Sequence, residues 1–242
     1  MKFVNLFFHR ETRSPLLAMM FASIIGVALV ISRIFVTRNI HYGFLIWNLF
    51  LAWLPLFFAL MACGKFRAGG HRNWRFGALA GAWLLFFPNA PYIFTDFIHL
   101  IYGQYRHFWV DLTLILMCAL TGLMLGFVSL YLMQSVVRRM YGPIASWLFI
   151  AAVAGLSGFG IYLGRFVRLN SWDLITRPMK LYHGVSHWAA NPLANSNTFS
   201  FPLLFGTFIF LAYVMLYTLT HLPKPEMTRA SENETLVTPQ VA

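Results

Sequence analysis

The segment WVDLTLILMCALTGLMLGFVSLYLM, residues 109–133, determines the fold class of this chain. Its 25 residues include a single charged side chain, that of Asp111. A helix that crosses the hydrocarbon core of a bilayer needs roughly 20 consecutive and mostly apolar residues. The segment therefore predicts a transmembrane helix rather than a helix of a water-soluble domain.

The rest of the chain has the same apolar character. Of its 242 residues, 59% are hydrophobic and 10% are charged, whereas a soluble domain carries about 25% charged residues. We therefore expect an all-α, polytopic membrane bundle with six transmembrane helices and a short amphipathic surface helix in the loop between the fifth and sixth. These helices are predicted at residues 15–33, 42–63, 76–102, 109–137, 143–164 and 199–220.

The predicted helices define the domain organisation and the orientation. Residues 1–222 form one membrane domain, and residues 223–242 form a polar tail that we expect to be disordered. Of the 18 Lys and Arg residues, eleven fall on the same side of the membrane as the N-terminus. This bias predicts a protein of the inner (cytoplasmic) membrane with both termini in the cytoplasm.

The partner expected from this pattern is the lipid bilayer, because the basic residues sit in short loops between apolar segments. Nucleic acid is not an expected partner, despite the net charge of +11.

The third predicted helix contains the sequence FFPNAPYIFTDFIHL, residues 86–100. Pro88 and Pro91 must break or kink it, because proline lacks a backbone N–H and clashes with the preceding turn. If the helix resumes at Pro91, polar side chains follow at helical spacing and form one stripe, which should face the bundle because charges are costly at membrane depth. The stripe comprises Tyr92, Asp96 and His99, and Asn89 lies close to its start.

Further polar residues are predicted at the same, external side of the membrane. Asp111 opens the fourth helix, and Arg165 and Arg168 share a face at the end of the fifth. We hypothesise that Asp96, His99 and Asp111 are catalytic, the two aspartates as acid, base or metal ligand and His99 as proton carrier. The alternative is a structural salt-bridge network at the edge of the bundle. The candidate substrate-binding residues are Asn89, Tyr92, Arg165, Arg168, Asn170, Trp172 and Asp173, with the two arginines as a clamp for phosphate or carboxylate.

Three further patterns bear on packing and ligands. Glycine pairs at G-x-x-x-G spacing occur at residues 77/81, 122/126 and 160/164, and they predict close helix packing inside the bundle or, less often, dimerisation. Asn48 lies alone in the second predicted helix, where an amide usually makes an interhelical hydrogen bond. No Cys spacing is typical of a metal site, and the i, i+4 spacing of His183 and His187 is only a weak signal for one, so no residue is assigned as a metal ligand on these patterns. Metal dependence stays open, and no motif identifies a cofactor.

Four blocks of sequence carry a family resemblance. They are NLFLAWLPLFFAL at 48–60, WLLFFPNAPYIFTDFIHL at 83–100, the segment 109–133 quoted above, and GFGIYLGRFVRLNSWDLITRP at 158–178. Together they resemble DUF1361, a bacterial membrane-protein family of unknown function. The resemblance implies a multi-pass bacterial membrane protein and supplies no activity, substrate or catalytic residue, so the candidate sites rest on the residues alone.

Three functions are open at this point. The first is an external site that binds or processes a lipid or envelope molecule, with an anionic lipid or envelope ligand as partner. The second is a small transporter or channel, which the broken third helix favours. The third is a non-catalytic assembly or scaffold protein, which the glycine faces favour. The pattern does not indicate an oligomeric state.

Overall fold

The computed structural model describes residues 10–38, 40–69, 73–101, 107–171, 173–190 and 196–221, and all regular secondary structure within these ranges is helical. Short 3₁₀ helices at His41–Gly43 and Ile93–Phe97 join longer elements. The α-helices are α1 (Arg10–Thr37), α2 (Phe44–Arg67), α3 (Trp74–Phe86), α4 (Asn89–Tyr92), α5 (Ile98–Ile101), α6 (Phe108–Phe166), α7 (Asp173–Thr176), α8 (Pro178–Ala190) and α9 (Ser196–Thr220).

The predicted all-helical membrane class is confirmed. Five helical stretches in the described part of the chain are long and apolar enough to cross a membrane. They match the predicted segments closely, except that the fourth and fifth predicted helices fall within one 59-residue element, α6. The five stretches are Pro15–Thr37, His41–Arg67, Trp74–Ile101, Phe108–Phe166 and Phe199–Thr220.

The break that the sequence predicts between residues 137 and 143 is confined to a single residue of α6. Gly142 has φ 90° and ψ 177°, so α6 consists of two helical segments, 108–141 and 143–166. Glycine adopts this conformation because it lacks a Cβ. Pro143 follows at the first position of the second segment, where its missing N–H leaves no hydrogen bond unmade.

Gly142→Ala tests whether this break depends on glycine. The substitution is expected to lower the free energy of unfolding by about 1–3 kcal/mol, because a Cβ is strained at this φ and ψ. Thermal unfolding of the purified protein in detergent measures the change. Gly64→Ala in α2 is the matched control, since a Cβ there meets no atom within 4 Å. Equal stability of the two variants would contradict the prediction.

The third crossing segment is broken at the prolines, as predicted, but it resumes differently. Helix α3 ends at Phe86, α4 begins at Asn89, and residues Ile93–Phe97 form a 3₁₀ helix before α5. The expected continuous helix from Pro91 is therefore replaced by a tighter turn. Asp96 therefore lies in the 3₁₀ helix, whereas His99 lies in the α-helical turn that follows it, α5.

Two of the three glycine pairs pack the broken segment against α6. A Cβ on Gly122 would lie 2.8 Å from the Ala90 carbonyl oxygen, and one on Gly160 would lie 2.8 Å from Pro88. Gly126 and Gly164 make similar approaches to Ala90 and Tyr92. These pairs serve packing within the chain, the commoner use of the spacing. The pair at residues 77 and 81 meets no atom within 4 Å.

The chain divides into two compact units, Met1–Phe210 and Leu211–Ala242. The first contains α1 to α8 and the larger part of α9. In the second, the structure describes residues 211–221, which continue α9, and the tail predicted to be disordered, 223–242, lies outside the described residues. Helix α8 occupies the loop where an amphipathic helix is expected, and its position relative to a membrane stays a prediction.

Candidate functional site

A cavity of about 420 Å³ lies in the first unit, between α2, the broken third segment, and the end of α6 with the loop that follows it. Its apolar wall includes Phe44, Trp47, Leu51 and Leu163. Seven of the ten candidate site residues line it, namely Asn89, Tyr92, Asp96, His99, Arg165, Asn170 and Asp173.

A buried ion pair between Asp96 and Arg165 occupies the cavity. Arg165 Nη2 lies 2.6 Å from Asp96 Oδ1, and the exposed fractions of the two side chains are 19% and 2%. Asn48 Nδ2, from α2, donates to the other carboxylate oxygen at 2.9 Å. Each charge compensates the other in a place where an isolated charge would be very unfavourable. The lone amide of α2 thus makes an interhelical hydrogen bond and also lines the cavity.

Neighbouring groups fix the orientation of the Arg165 guanidinium. Its Nε donates to Thr95 Oγ1 at 3.1 Å, and its Nη2 donates to the same oxygen. The Tyr92 ring covers the guanidinium, with 4.9 Å between Cζ and the ring centroid, a favourable cation–π arrangement. No described residue hydrogen-bonds to Nη1, so one edge of the guanidinium keeps its donors available.

Several other polar groups that line the cavity also have uncommitted atoms, that is, atoms without a hydrogen-bond partner among the described residues. The His99 ring packs against Phe44 at 4.7 Å and meets His41 edge-on at 5.7 Å, but neither ring nitrogen hydrogen-bonds to a described residue. The same holds for the Tyr92 hydroxyl and for Asn48 Oδ1 within the described ranges. These atoms are not fully buried. They can therefore accept or donate hydrogen bonds to a ligand.

The loop after α6 is fastened to the broken segment. Asn89 Nδ2 donates to Ser171 Oγ at 3.0 Å, and Ser171 Oγ donates to the Leu85 carbonyl at 3.1 Å. Asp173 is buried, and its Oδ2 accepts the backbone N–H of Asn170 at 2.8 Å. The loop therefore closes one side of the cavity with a network of neutral hydrogen bonds and one carboxylate.

Two of the remaining three candidate residues lie elsewhere, and the third is not described. Arg168 is exposed, has φ 56° and does not line the cavity, while its carbonyl accepts a hydrogen bond from Lys180 Nζ at 3.1 Å. Trp172 lies outside the described residues. Asp111 is buried against α1, where Arg33 Nε donates to Oδ1 at 2.6 Å and Arg33 Nη2 to Oδ2 at 3.1 Å. The structure thus separates Asp111 from Asp96.

No group of three or more His, Cys, Asp or Glu side chains among the described residues could hold a metal ion. The acidic groups of the cavity instead face hydrogen-bond donors and one guanidinium. The arrangement supports binding of polar groups, with His99 as the uncommitted group for proton transfer.

The residues that the sequence reasoning missed are Thr95 and Ser171. Both are small hydroxyl residues whose roles depend on partners about 70 or more positions away along the chain, Arg165 for Thr95 and Leu85 with Asn89 for Ser171. No local pattern signals such a pairing. For Thr95, its position next to Asp96 was the available clue.

Comparison with known proteins gives one match. A family model described as "Protein of unknown function (DUF1361)" matches residues 47–221, more than half of the chain. The matched range includes Asn48, Asp96, Arg165 and Asp173. No curated protein and no solved structure matches the chain.

Proposed function

The chain belongs to the DUF1361 family, whose description assigns no activity, and we propose that it is a membrane protein that binds the polar part of an amphiphilic molecule in the cavity around Asp96 and Arg165. The observation that carries the proposal is the composition of the cavity wall. Apolar side chains line one part, while Arg165 Nη1, Asn48 Oδ1, His99 and the Tyr92 hydroxyl offer unused hydrogen-bonding capacity. Sites for small molecules combine these two features.

The proposal includes six crossings of the membrane. Helix α6 would be about 90 Å long if straight, three times the hydrocarbon thickness. Both of its segments contact Trp83, which donates to Ser129 Oγ at 3.2 Å and stacks on Phe149 at 5.7 Å. Residues 20 positions apart reach one side chain only if the segments lie side by side, which supports two crossings joined at Gly142.

The same proposal places both termini in the cytoplasm and the cavity at the external side of the inner membrane. The distribution of Lys and Arg supports this orientation. The molecule bound is then a lipid or a cell-envelope molecule that reaches the cavity from the outer half of the bilayer. Helix α8, with Met179 and Tyr182 exposed, would lie along the membrane surface beside it.

Any proton transfer in this cavity is assigned to His99. Asp96 is held by Arg165 and Asn48, so its oxygens are already engaged. Asp111 is paired with Arg33 and does not line the cavity. His99 lines the cavity with both ring nitrogens free of described partners, as a general acid or base requires.

Co-purification of lipid tests the proposal. The protein is purified in mild detergent, and retained lipid is quantified by mass spectrometry for wild type, His99→Leu and His183→Leu. We expect one retained species whose occupancy falls by up to about fivefold in His99→Leu, since one hydrogen bond is worth about 1 kcal/mol, or about fivefold in affinity. His183 is exposed on α8, so its variant should retain the wild-type amount. Equal retention in all three proteins would favour a scaffold role instead.

A further inference from the structure

We infer that the polar part bound in this cavity is uncharged and carries hydroxyl or amide groups. The inference rests on the proposed binding site and names the chemical class of its ligand. Three observations support it: the charges of the lining, the kinds of atom left uncommitted, and the position of the nearby cations.

The charges of the lining leave no positive charge for an anion. Among the described residues that line the cavity, Asp96 and Asp173 are acidic, and Arg165 is the only Lys or Arg. Arg165 is already neutralised by Asp96 at 2.6 Å. A phosphate or carboxylate would therefore bring an uncompensated charge into a poorly solvated place, next to a second buried carboxylate.

The uncommitted atoms include both donors and acceptors. Asn48 must present its NH₂ to Asp96, because an ion-paired carboxylate only accepts, and this leaves Asn48 Oδ1 as an acceptor. Arg165 Nη1 is a donor, the Tyr92 hydroxyl both donates and accepts, and the His99 ring adds two further nitrogens that can hydrogen-bond. A phosphate that offers only acceptor oxygens cannot satisfy Asn48 Oδ1. A hydroxyl or amide can donate to Asn48 and accept from Arg165.

A cationic group fits no better than an anion. The Asp173 carboxylate is engaged within its own loop, where Oδ2 accepts from the Asn170 N–H and Oδ1 from the Thr176 hydroxyl. Arg168 and Lys180 are exposed on the adjoining segment and would repel an approaching cation. The clamp of Arg165 and Arg168 expected from the sequence is also unsupported by this geometry, because Arg168 does not line the cavity.

A matched pair of probes tests the inference. The two lipids carry identical oleoyl chains, one with a glucose head (monoglucosyl dioleoylglycerol) and one with a phosphate head (dioleoyl phosphatidic acid). Saturable binding of each radiolabelled lipid is measured on the full chain in a detergent without a sugar headgroup. Free glucose and inorganic phosphate are tested as competitors. The variants are Tyr92→Phe and, as control, Tyr182→Phe, which removes the same hydroxyl from an exposed position on α8.

We expect the glucosyl lipid to bind wild type at least about tenfold more tightly than phosphatidic acid, and Tyr92→Phe to weaken it roughly fivefold. Tyr182→Phe should bind like wild type. Competition by free glucose would identify a free polyol as the natural source, and its failure would identify a lipid headgroup; both support the inference.

Two results overturn it in different ways. Tighter binding of phosphatidic acid, weakened by Tyr92→Phe, would refute the uncharged ligand and leave the proposed binding site standing. Binding of either lipid that does not saturate, or that is the same in Tyr92→Phe and wild type, would refute the site itself.

Discussion

Replacing Asp96 with alanine is expected to lower the free energy of unfolding by about 3–5 kcal/mol, because the change leaves the Arg165 guanidinium without its counter-charge in a poorly solvated place. Arg165 is 19% exposed, and its other contacts, Thr95 and the Tyr92 ring, carry no charge. Asn48 Nδ2 also loses its acceptor. Chemical or thermal unfolding of the purified protein in detergent measures the loss.

A double-mutant cycle separates the pair from the individual side chains. Arg165→Ala alone should be about as harmful as Asp96→Ala, since it strands the carboxylate instead. The double variant should lose less than the sum of the two, with a coupling of about 1–3 kcal/mol. Additive losses would mean that the two charges do not compensate each other, which would contradict the geometry.

Asp111→Ala is the matched control for this experiment. Asp111 forms the second buried ion pair, with Arg33 at 2.6 Å, and its carboxylate does not line the cavity. Its loss should lower stability by a similar amount, while lipid retention per folded molecule stays at the wild-type level. Asp96→Ala changes the cavity wall and should lose retained lipid. An equal loss in Asp111→Ala would show that lipid retention follows the stability of the fold and not the residues of the cavity.

The sequence predicted the helices well because their signal is local. Runs of about 20 apolar residues identify a membrane helix without knowledge of its neighbours. The boundaries were less accurate, and one error concealed a contact. The first helix was ended at residue 33, whereas α1 continues to Thr37. Arg33, the last residue of the predicted helix, instead lies a full turn inside α1, where it pairs with Asp111.

The candidate site was predictable in part for a related reason. The costs of burying charge and of breaking a helix are properties of single residues, so Asp96 and the prolines could be singled out directly. The choice of partner depends on helix packing. Arg165 is 69 positions from Asp96 and Asn48 is 48 positions away. Periodicity within one helix cannot rank such partners, which is why Asp111 was grouped with Asp96.

The close crossing of α6 and α9 leads to the second large effect, expected for Gly158→Ala. A Cβ on Gly158 would overlap the Pro202 carbonyl oxygen and lie 2.7 Å from the Gly206 backbone nitrogen. Both obstacles are backbone atoms, so no side-chain rotation relieves them. We expect the free energy of unfolding to fall by about 3 kcal/mol or more, at the upper end of overpacking effects, as measured by unfolding in detergent.

Gly155→Ala provides the control, on the same helical segment and less than one turn earlier. A Cβ there meets no atom within 4 Å, and alanine favours a helix over glycine by about 0.8–1 kcal/mol. The control should therefore be as stable as wild type or slightly more so. If Gly158→Ala were equally well tolerated, the backbones of α6 and α9 could not lie this close together. The crossing would then have to be looser than the contacts of Gly158 indicate. The contacts of Gly206 indicate the same close approach, because a Cβ added there would lie only 3.1 Å from the Ala154 carbonyl oxygen.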